Sequence, residues 1–329
     1  MNMEISVVIP VRNREKLVVR TLDSVAAQSY RPINLILVDN GSTDATREVL
    51  EQWQSENQSD DLRVTILGEP TPGAARARNR GLREVATDYV MFFDSDDEMR
   101  PDHIRRVVDE LRRLPDADIL RWPVAVLDPD GWTELKDQRF HDEMQLHLLH
   151  ATLATQRYAV RSDLLRRLGG WNESLPCWND LELGVRLIAS GAKIRRLSGE
   201  PSVVIHPTED SITGSDYSSR LDALELALSQ IEADFTTPSV TPDNETVVED
   251  VEPDADYLNT LAAKRAILAA LLRREGNREA SSRLLEAAMK GQDYNGRMGL
   301  RMVYRAVRWT GRGGAAVALL WFGKKPPRN

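Results

Sequence analysis

The first half of this 329-residue chain alternates short apolar runs with helix-like segments, and that alternation limits the fold more than any other feature. "EISVVIP" and "INLILVD" are β-branched apolar runs separated by "EKLVVRTLDSVAAQ", whose apolar residues recur at helical spacing. "RVTILG" follows a polar stretch, "PGAARARNRGLREVA" reads as a helix opened by Pro72 and Gly73, and "YVMFF" is the next strand. Repeated strand–helix–strand order implies an α/β fold: a largely parallel sheet flanked by helices, with right-handed crossovers and a ligand site at the carboxyl ends of the strands. Polar residues come directly after "SVVIP", "ILVD" and "MFF", so three strand ends are expected to share one edge. One of them is crowded with acid. "FFDSDDE", Phe92 to Glu98, holds three aspartates and a glutamate in five positions, and packing gains nothing from so many like charges.

From about Ala117 to Pro207 the pattern is mixed, with strands in "DILRWPVAVLD", "QRYAV" and "PSVVIH" and a helix in "NDLELGVRLIAS". Between Glu232 and Asp256 stand nine acidic residues and no basic one, in a Pro/Thr-rich stretch that reads as a linker. "YLNTLAAKRAILAALLRREGN" and "REASSRLLEAAMKG" form a helical hairpin around Gly276-Asn277. From Arg297 onward there are eight basic residues and no acidic one, with Arg301, Arg305, Arg308 and Arg312 at helical spacing before "AAVALLWF". Two readings fit this basic segment: a helix lying in an anionic membrane surface, or packing on the hairpin with the charge facing the acidic linker. Packing is the favoured one, because an eight-residue apolar run holds weakly to a membrane by itself.

The net charge of −8 argues against a general nucleic-acid binder. Cys177 is the single cysteine, so no intrachain disulfide can form and a reducing, cytoplasmic setting is expected. The apolar run near the N-terminus is short and lacks a basic leader, and no stretch is long enough to span a bilayer. The expectation is a soluble protein or one peripheral at the inner face of a membrane.

Asp94 and Asp96 alternate across a strand end. Clustered carboxylates repel unless a cation neutralises them, and Mg²⁺ or Mn²⁺ favours oxygen ligands while borrowing others from substrate phosphates. An acidic turn capping the helix at "MRPDHIRRVVDEL" accounts for the same residues. Asp39 can accept hydrogen bonds from a base or ribose, or close a turn into a helix begun by Ser42 or Thr43. Arg76, Arg78 and Arg80 surround Asn79; guanidinium groups match phosphate geometry, although a solvated face is the expected fate of Arg76 and Arg80. His141, His147 and His150 fit no zinc spacing and are assigned to a loop and strand.

Taken in order, "ISVVIPVRNRE", "TLDSVAAQSY", "LILVDNGSTDAT", "PGAARARNRGL", "VMFFDSDDEMRP", "LGGWNESLPCWNDLELGVRLIASG" and "VVIHPTEDSIT" resemble the family 2 glycosyltransferases of the GT-A fold. The resemblance covers roughly residues 4 to 213. It implies a catalytic domain over residues 1–214; beyond it, composition and periodicity give a helix and acidic linker at 215–256 and a helical region with a basic tail at 257–329. It also implies inverting transfer of a sugar from a nucleotide-diphosphate donor, UDP being favoured, to a glycan or lipid-linked saccharide in cell-envelope polysaccharide synthesis. Carried over by position, Asp39 matches the base-contacting carboxylate, with Pro10, Arg12 and Asn13 beside the nucleotide and Arg78 near the base or diphosphate. Asp94-Ser95-Asp96 matches the DXD motif, with Asp96 as metal ligand and Asp94 as ribose contact; Asp97 is assigned to capping the next helix. His206 matches a histidine that some members add as a metal ligand, although Val204-Ile205 replaces the more usual aromatic-Arg pair before it.

One-step inversion needs a base on the face opposite the leaving group. The resemblance places it at Asp180, with Asn179 where an acid often stands. Gly169, Gly170, Trp171 and Trp178 fall where donor sugar or acceptor would lie, Trp178 more so because it is two residues from Asp180. "YRAVRW" lacks the Gln of the processive synthases' Gln-x-x-Arg-Trp motif, so single addition is expected. A nucleotidyltransferase is disfavoured because "PVRNRE" replaces a glycine-rich phosphate loop. The alternative from another class is a sugar-nucleotide-binding module that acts through its helical C-terminus without turnover.

Overall fold

The computed structural model describes residues 3–128, 131–135, 142–207, 216–236, 255–312 and 314–323. The chain divides into two compact units, one comprising Met1–Asp137, Leu153–Leu183 and Gly191–Ser211, the other Gln138–Thr152, Gly184–Ser190 and Ile212–Asn329.

In the first unit, β1 (Ile5–Val11), β2 (Ile33–Asp39) and β3 (Leu62–Gly68) are separated by α1 (Val18–Ala26) and α2 (Thr46–Asn57). Helix α3 (Ala74–Glu84) then leads to β4 (Tyr89–Phe92). β1 and β2 are buried almost without a break, the pattern of parallel strands covered on both faces. A short strand β5 (Glu98–Met99) and α4 (His103–Arg113) come next, followed by β6 (Ile119–Arg121), β7 (Val124–Asp128) and β8 (Gly131–Leu135). Beyond α5 (Glu143–His150), which belongs to the second unit, a 3₁₀ turn at Thr155–Arg157 enters β9 (Tyr158–Arg161) and α6 (Ser162–Arg167). Helix α7 (Asn179–Ala189), β10 (Ile194–Arg196) and β11 (Val203–Ile205) complete the catalogue of this region.

Among the described residues the main sheet has the order β10-β6-β9-β4-β1-β2-β3. Only β9 runs against its neighbours, pairing antiparallel with both β4 and β6. A second sheet has the order β5-β11-β7-β8, so the strand segment "DILRWPVAVLD" is divided between the two sheets. Register fixes the expected edge: Val11 lies beside Asp39, and Val8 beside Phe92, so the carboxyl ends of β4, β1 and β2 are neighbours.

Two local expectations are corrected. α2 begins at Thr46, not at Ser42 or Thr43, because Asp44 Oδ1 accepts from the Thr46 amide and hydroxyl at 3.1 and 2.6 Å. Asp97 does not cap α4: β5 intervenes, and α4 starts after Asp102 with no side-chain cap.

In the second unit α9 (Ala255–Arg274) is rich in small residues, which lets neighbouring helices approach closely. α8 (Leu221–Thr236), α10 (Arg278–Met289), α11 (Tyr294–Thr310) and α12 (Gly314–Phe322) are the other helices of this C-terminal region. Ala262, Ala263 and Ala266 of α9 share one core with Leu146 of α5, Leu300 and Val303 of α11 and Leu319 of α12. The hairpin turn falls at Gly276, with φ of 92°, and Asn277 caps α10 by accepting from the Ala280 amide. His147 and His150 lie on α5, not on a loop or strand; His147 is buried, with its ring against Gly184. His141 and the acidic segment 237–254 lie outside the described residues.

α3 lies against β1 at Gly81. A Cβ there would stand 2.4 Å from Val8 Cγ1 and 3.2 Å from Val38 Cγ2. Helix propensity alone favours alanine by about 1 kcal/mol, but overpacking costs about 1–3 kcal/mol. Gly81→Ala is therefore expected to lose net stability in urea unfolding; a gain would show that α3 can move off the sheet freely.

His103 is fully buried at the start of α4, beside Ser202 Oγ at 2.8 Å and edge-on to Trp122. Burial, with Arg106 nearby, pulls its pKa down to about 3. The unfolded chain then binds a proton that the folded chain refuses. Stability is expected to fall by up to about 1.4 kcal/mol per pH unit as pH drops below about 6.5, continuing towards the folded value. His103→Gln should flatten that part of the pH profile, and an unchanged slope would refute the assignment.

Candidate active site

The acidic stretch begins where β4 ends. The Phe93 amide still donates to the Val8 carbonyl at 2.9 Å, and the chain then leaves the sheet as Asp94-Ser95-Asp96-Asp97. α1 holds this loop by its backbone: Arg20 donates to the Asp96 carbonyl at 2.5 Å, and the Thr21 hydroxyl to that of Asp97 at 2.8 Å. Arg20 also pairs with Glu98 at 3.2 Å, and Arg14 stands 3.8 Å from the Asp96 carboxylate.

Asp97 turns inward. Only 2% exposed, it accepts from Gln156 Nε2 at 2.8 Å and from the His206 amide at 2.9 Å. Burial, reinforced by the charge of Asp94, pushes its pKa up to about 8. Asp94 is raised as well, first by loss of water and then by Asp180 and Asp96, with Arg78 opposing.

The centre of the arrangement is Arg78. Buried on α3, it donates from Nη2 to Asp94 at 3.1 Å and from Nη1 to Asp180 at 3.5 Å and Asn179 at 3.3 Å. Its guanidinium lies 5.8 Å from the Trp171 ring centre. Asp180 stands in the first turn of α7, entered through Trp178 at a φ of 52°. Its Oδ1 also accepts from Trp171 Nε1 at 3.0 Å, and its Oδ2 from the Thr155 amide at 3.2 Å and hydroxyl at 2.5 Å.

Asn79 fixes the Trp171 backbone, accepting from its amide and donating to its carbonyl, each at 2.9 Å. Gly170, at φ of 69°, makes this approach possible: a Cβ there would sit 2.4 Å from Asn79 Oδ1. Gly170 thus serves a protein contact, and Trp171, 2% exposed and edge-on to Phe92, offers no open ring face to a sugar. Gly169 has open space where a side chain would be, and Trp178 is half-buried.

Across the edge, Asp39 accepts from the Ser42 amide at 3.1 Å, closing the turn after β2. Asn13, at φ of 52°, caps the same turn by accepting from the Thr43 amide at 2.8 Å. Pro10 lies near the end of β1, and Arg12 is exposed. His206 Nε2 is 3.4 Å from Glu98.

Asp94 and Asp180 thus meet on Arg78, with Asp96 near enough to Asp94 to help raise its pKa. Arg76 and Arg80 take peripheral ion pairs with Glu173 and Glu84. The sequence reading missed Thr155, Gln156, Asn79 and Arg14. The last two lie inside motifs it quoted; the first two come from a turn with no motif of its own.

Among the described residues no three His, Cys, Asp or Glu side chains converge to hold a metal on their own. The donors present still suit a hard divalent ion of the kind that takes one or two carboxylates and completes its shell from phosphate and water. Beside burial, repulsion from Asp180 and Asp96 raises Asp94, and such an ion would relieve that repulsion.

Arg78→Met should strand Asp94 and Asp180 beside each other. Breaking a buried ion pair costs about 3 kcal/mol or more, and urea unfolding should show a loss of that order. A change under about 0.5 kcal/mol, the usual size for a surface site, would mean that the clamp does not hold the site.

Residues 6–168 match the family model Glycosyl transferase family 2. The amylovoran biosynthesis glycosyltransferase AmsB of Erwinia amylovora is 36% identical over 113 residues, 34% of this chain and 37% of AmsB. Glycosyltransferase GlyA of Streptococcus pneumoniae is 35% identical over 101 residues, 31% of this chain and 14% of GlyA. The matched stretch spans less than half the length of both. Among solved structures, S. aureus TarS 1–349 in complex with UDP-GlcNAc aligns with a TM-score of 0.60 at 17% identity, over 89% of this chain and 93% of that one. The mannosyltransferase PcManGT of Pyrobaculum calidifontis, in complex with GDP-Man and Mn²⁺, aligns with a TM-score of 0.54 at 19% identity, over 96% and 86%. At these identities the likeness is one of fold, an α/β GT-A architecture with a helical C-terminal region. Local sequence and fold agree: residues 6–168 are similar to family 2 glycosyl transferases, and the chain shares the architecture of the GT-A neighbours.

Proposed function

We propose that the protein is an inverting, metal-assisted glycosyltransferase that moves a sugar from a nucleotide-diphosphate donor to a saccharide acceptor of envelope polysaccharide synthesis. The observation that carries this reading is the single guanidinium of Arg78 between Asp94, at the strand end expected to receive the diphosphate, and Asp180, at the head of α7. The polysaccharide role named for AmsB and the donors bound by TarS and PcManGT support the same class of chemistry. Those donors differ in base, so UDP is a choice made by this proposal and not by the fold.

Asp180 acts as general base. Both of its oxygens already accept two donors each, so an acceptor hydroxyl must replace one of them. The 3.5 Å contact with Arg78 is the longest and yields first, most readily once a diphosphate draws that guanidinium away. Thr155 and Trp171 then keep the carboxylate aimed while it takes the proton and the acceptor oxygen attacks the anomeric carbon in line.

Asp39 addresses the base, and Pro10, Arg12, Asn13 and Ser95 border the nucleotide. Trp178 and Gly169 are left as the sugar- or acceptor-facing groups. Asp96, with Asp94 as ribose contact and His206 alongside, would hold Mg²⁺ or Mn²⁺, which supplies charge stabilisation to a leaving diphosphate when bound.

Asp180→Asn is expected to lower kcat by about 10²–10⁴-fold while donor binding persists. Thermal shift reads the binding: UDP with Mn²⁺ at a hundred times its Kd should stabilise wild type and variant alike by about 2.7 kcal/mol. EDTA should reverse that gain. Full transfer by the variant removes the base assignment, whereas wild-type protein that binds donor yet never turns over favours the binding-module alternative.

A further inference from the structure

Helix α11 packs by one side only. Leu300, Val303 and Val307 are buried, and at about 100° per residue they fall on a common face. The opposite side carries Arg297, Arg301, Arg305 and Arg308, with Arg312 just beyond the helix, all exposed. No acidic residue occurs from Tyr294 to the end of the sequence, and among the described residues no carboxylate pairs with these five arginines. The same outward side is also apolar and aromatic. Tyr294 is 78% exposed and Trp309 80%, with Met298 and Met302 exposed between them.

Helix α12 extends the patch. Its Trp321 lies across Gly299, donating its indole N–H to the Asn295 carbonyl at 3.2 Å, and the adjoining Leu320 is 88% exposed. Helical spacing puts Met298, Met302 and Trp309 towards the edge where Trp321 lies, and most of the arginines towards the other.

Two demands meet on this face. Five exposed cations without a carboxylate partner among the described residues favour an anionic surface, and the indole, phenol and aliphatic groups favour an apolar or interfacial one. An acidic segment of polypeptide answers the first demand and leaves the rings in water. A bilayer surface answers both, with arginine at the phosphates and Trp, Tyr, Met and Leu at the headgroup–acyl boundary. No helix among the described residues is long and apolar enough to cross a membrane, so the contact is one of lying on the surface.

We propose that the outer face of α11 and α12 seats on an anionic lipid bilayer. The proposal stands independently of the transfer reaction, because its readout is binding. Flotation of the full chain with phosphatidylcholine vesicles, with and without phosphatidylglycerol, tests it. Retention is expected on the anionic vesicles alone, weakening as salt rises. Replacing Arg301, Arg305 and Arg308 by Gln should lower partitioning about 100-fold, at roughly a factor of five for each cation removed. Trp309→Ser with Leu320→Ser should lower it at unchanged charge. All five positions are exposed, so an unchanged Tm confirms that each variant is folded.

Wild-type protein that stays with the bulk, or arginine variants that float equally well, would overturn the proposal. So would flotation gained only on deleting residues 237–254, which assigns the face to the acidic segment. Capture of single-stranded RNA instead of anionic vesicles would also overturn it.

Discussion

One guanidinium sets the terms for the whole site. Arg78 presents a planar fork, and two carboxylates separated by more than eighty residues of sequence meet on it. Lysine would bring the charge without the geometry. α3 can deliver the fork only because three neighbouring positions do different jobs. Arg78 brings charge, Asn79 brings an amide that clasps the Trp171 backbone, and Gly81 brings the absence of a side chain where the helix meets Val8.

The crowding of "DSDDE" becomes intelligible once each acid is followed separately. Asp94 faces Arg78, Asp96 stands near Arg14, and Glu98 pairs with Arg20. Asp97 pairs with no cation among the described residues; burial, reinforced by the charge of Asp94, pushes its pKa up to about 8. The hydrogen bonds of Asp97 to Gln156 and the His206 backbone tie the loop after β4 to the 3₁₀ turn and the second sheet. A divalent ion would add to an arrangement already held by arginines and would not be its only support.

The fold was legible because parallel strands buried on both faces leave unbroken apolar runs, and because helical periodicity fills the gaps between them. "ISVVIPV" and "INLILVD" admit few other readings. The juxtaposition of Asp94 with Arg78 was half legible: Asp94 follows from strand-end logic, whereas Arg78 stands on a helix and was placed near the diphosphate only by the resemblance. The support of Asp180 was not. Thr155 reaches it from a 3₁₀ turn twenty-five residues away, and no local pattern marks that hydroxyl. Asp97 misled for a related reason: an aspartate shortly before a helix looks like a cap, and only the intervening strand β5 shows that it points the other way. Trp171 looked like a sugar platform because exposure cannot be read from residue type. Its ring is covered, and its indole N–H holds the carboxylate.

A total charge of −8 is a poor guide to what any one face of this protein meets. Charges in water act over a Debye length of about 8 Å at physiological salt, which is shorter than either unit is wide. A surface therefore responds to the patch before it, not to the sum. The same total that argues against a general nucleic-acid binder conceals a C-terminal stretch with eight basic residues and no acid. The fold converts that stretch into a face, because burying Leu300, Val303 and Val307 forces the arginines of α11 outward together. Packing on neighbouring helices and presenting charge to an external surface are thus the same act seen from the two sides of one helix, although the sequence reading weighed them as rivals.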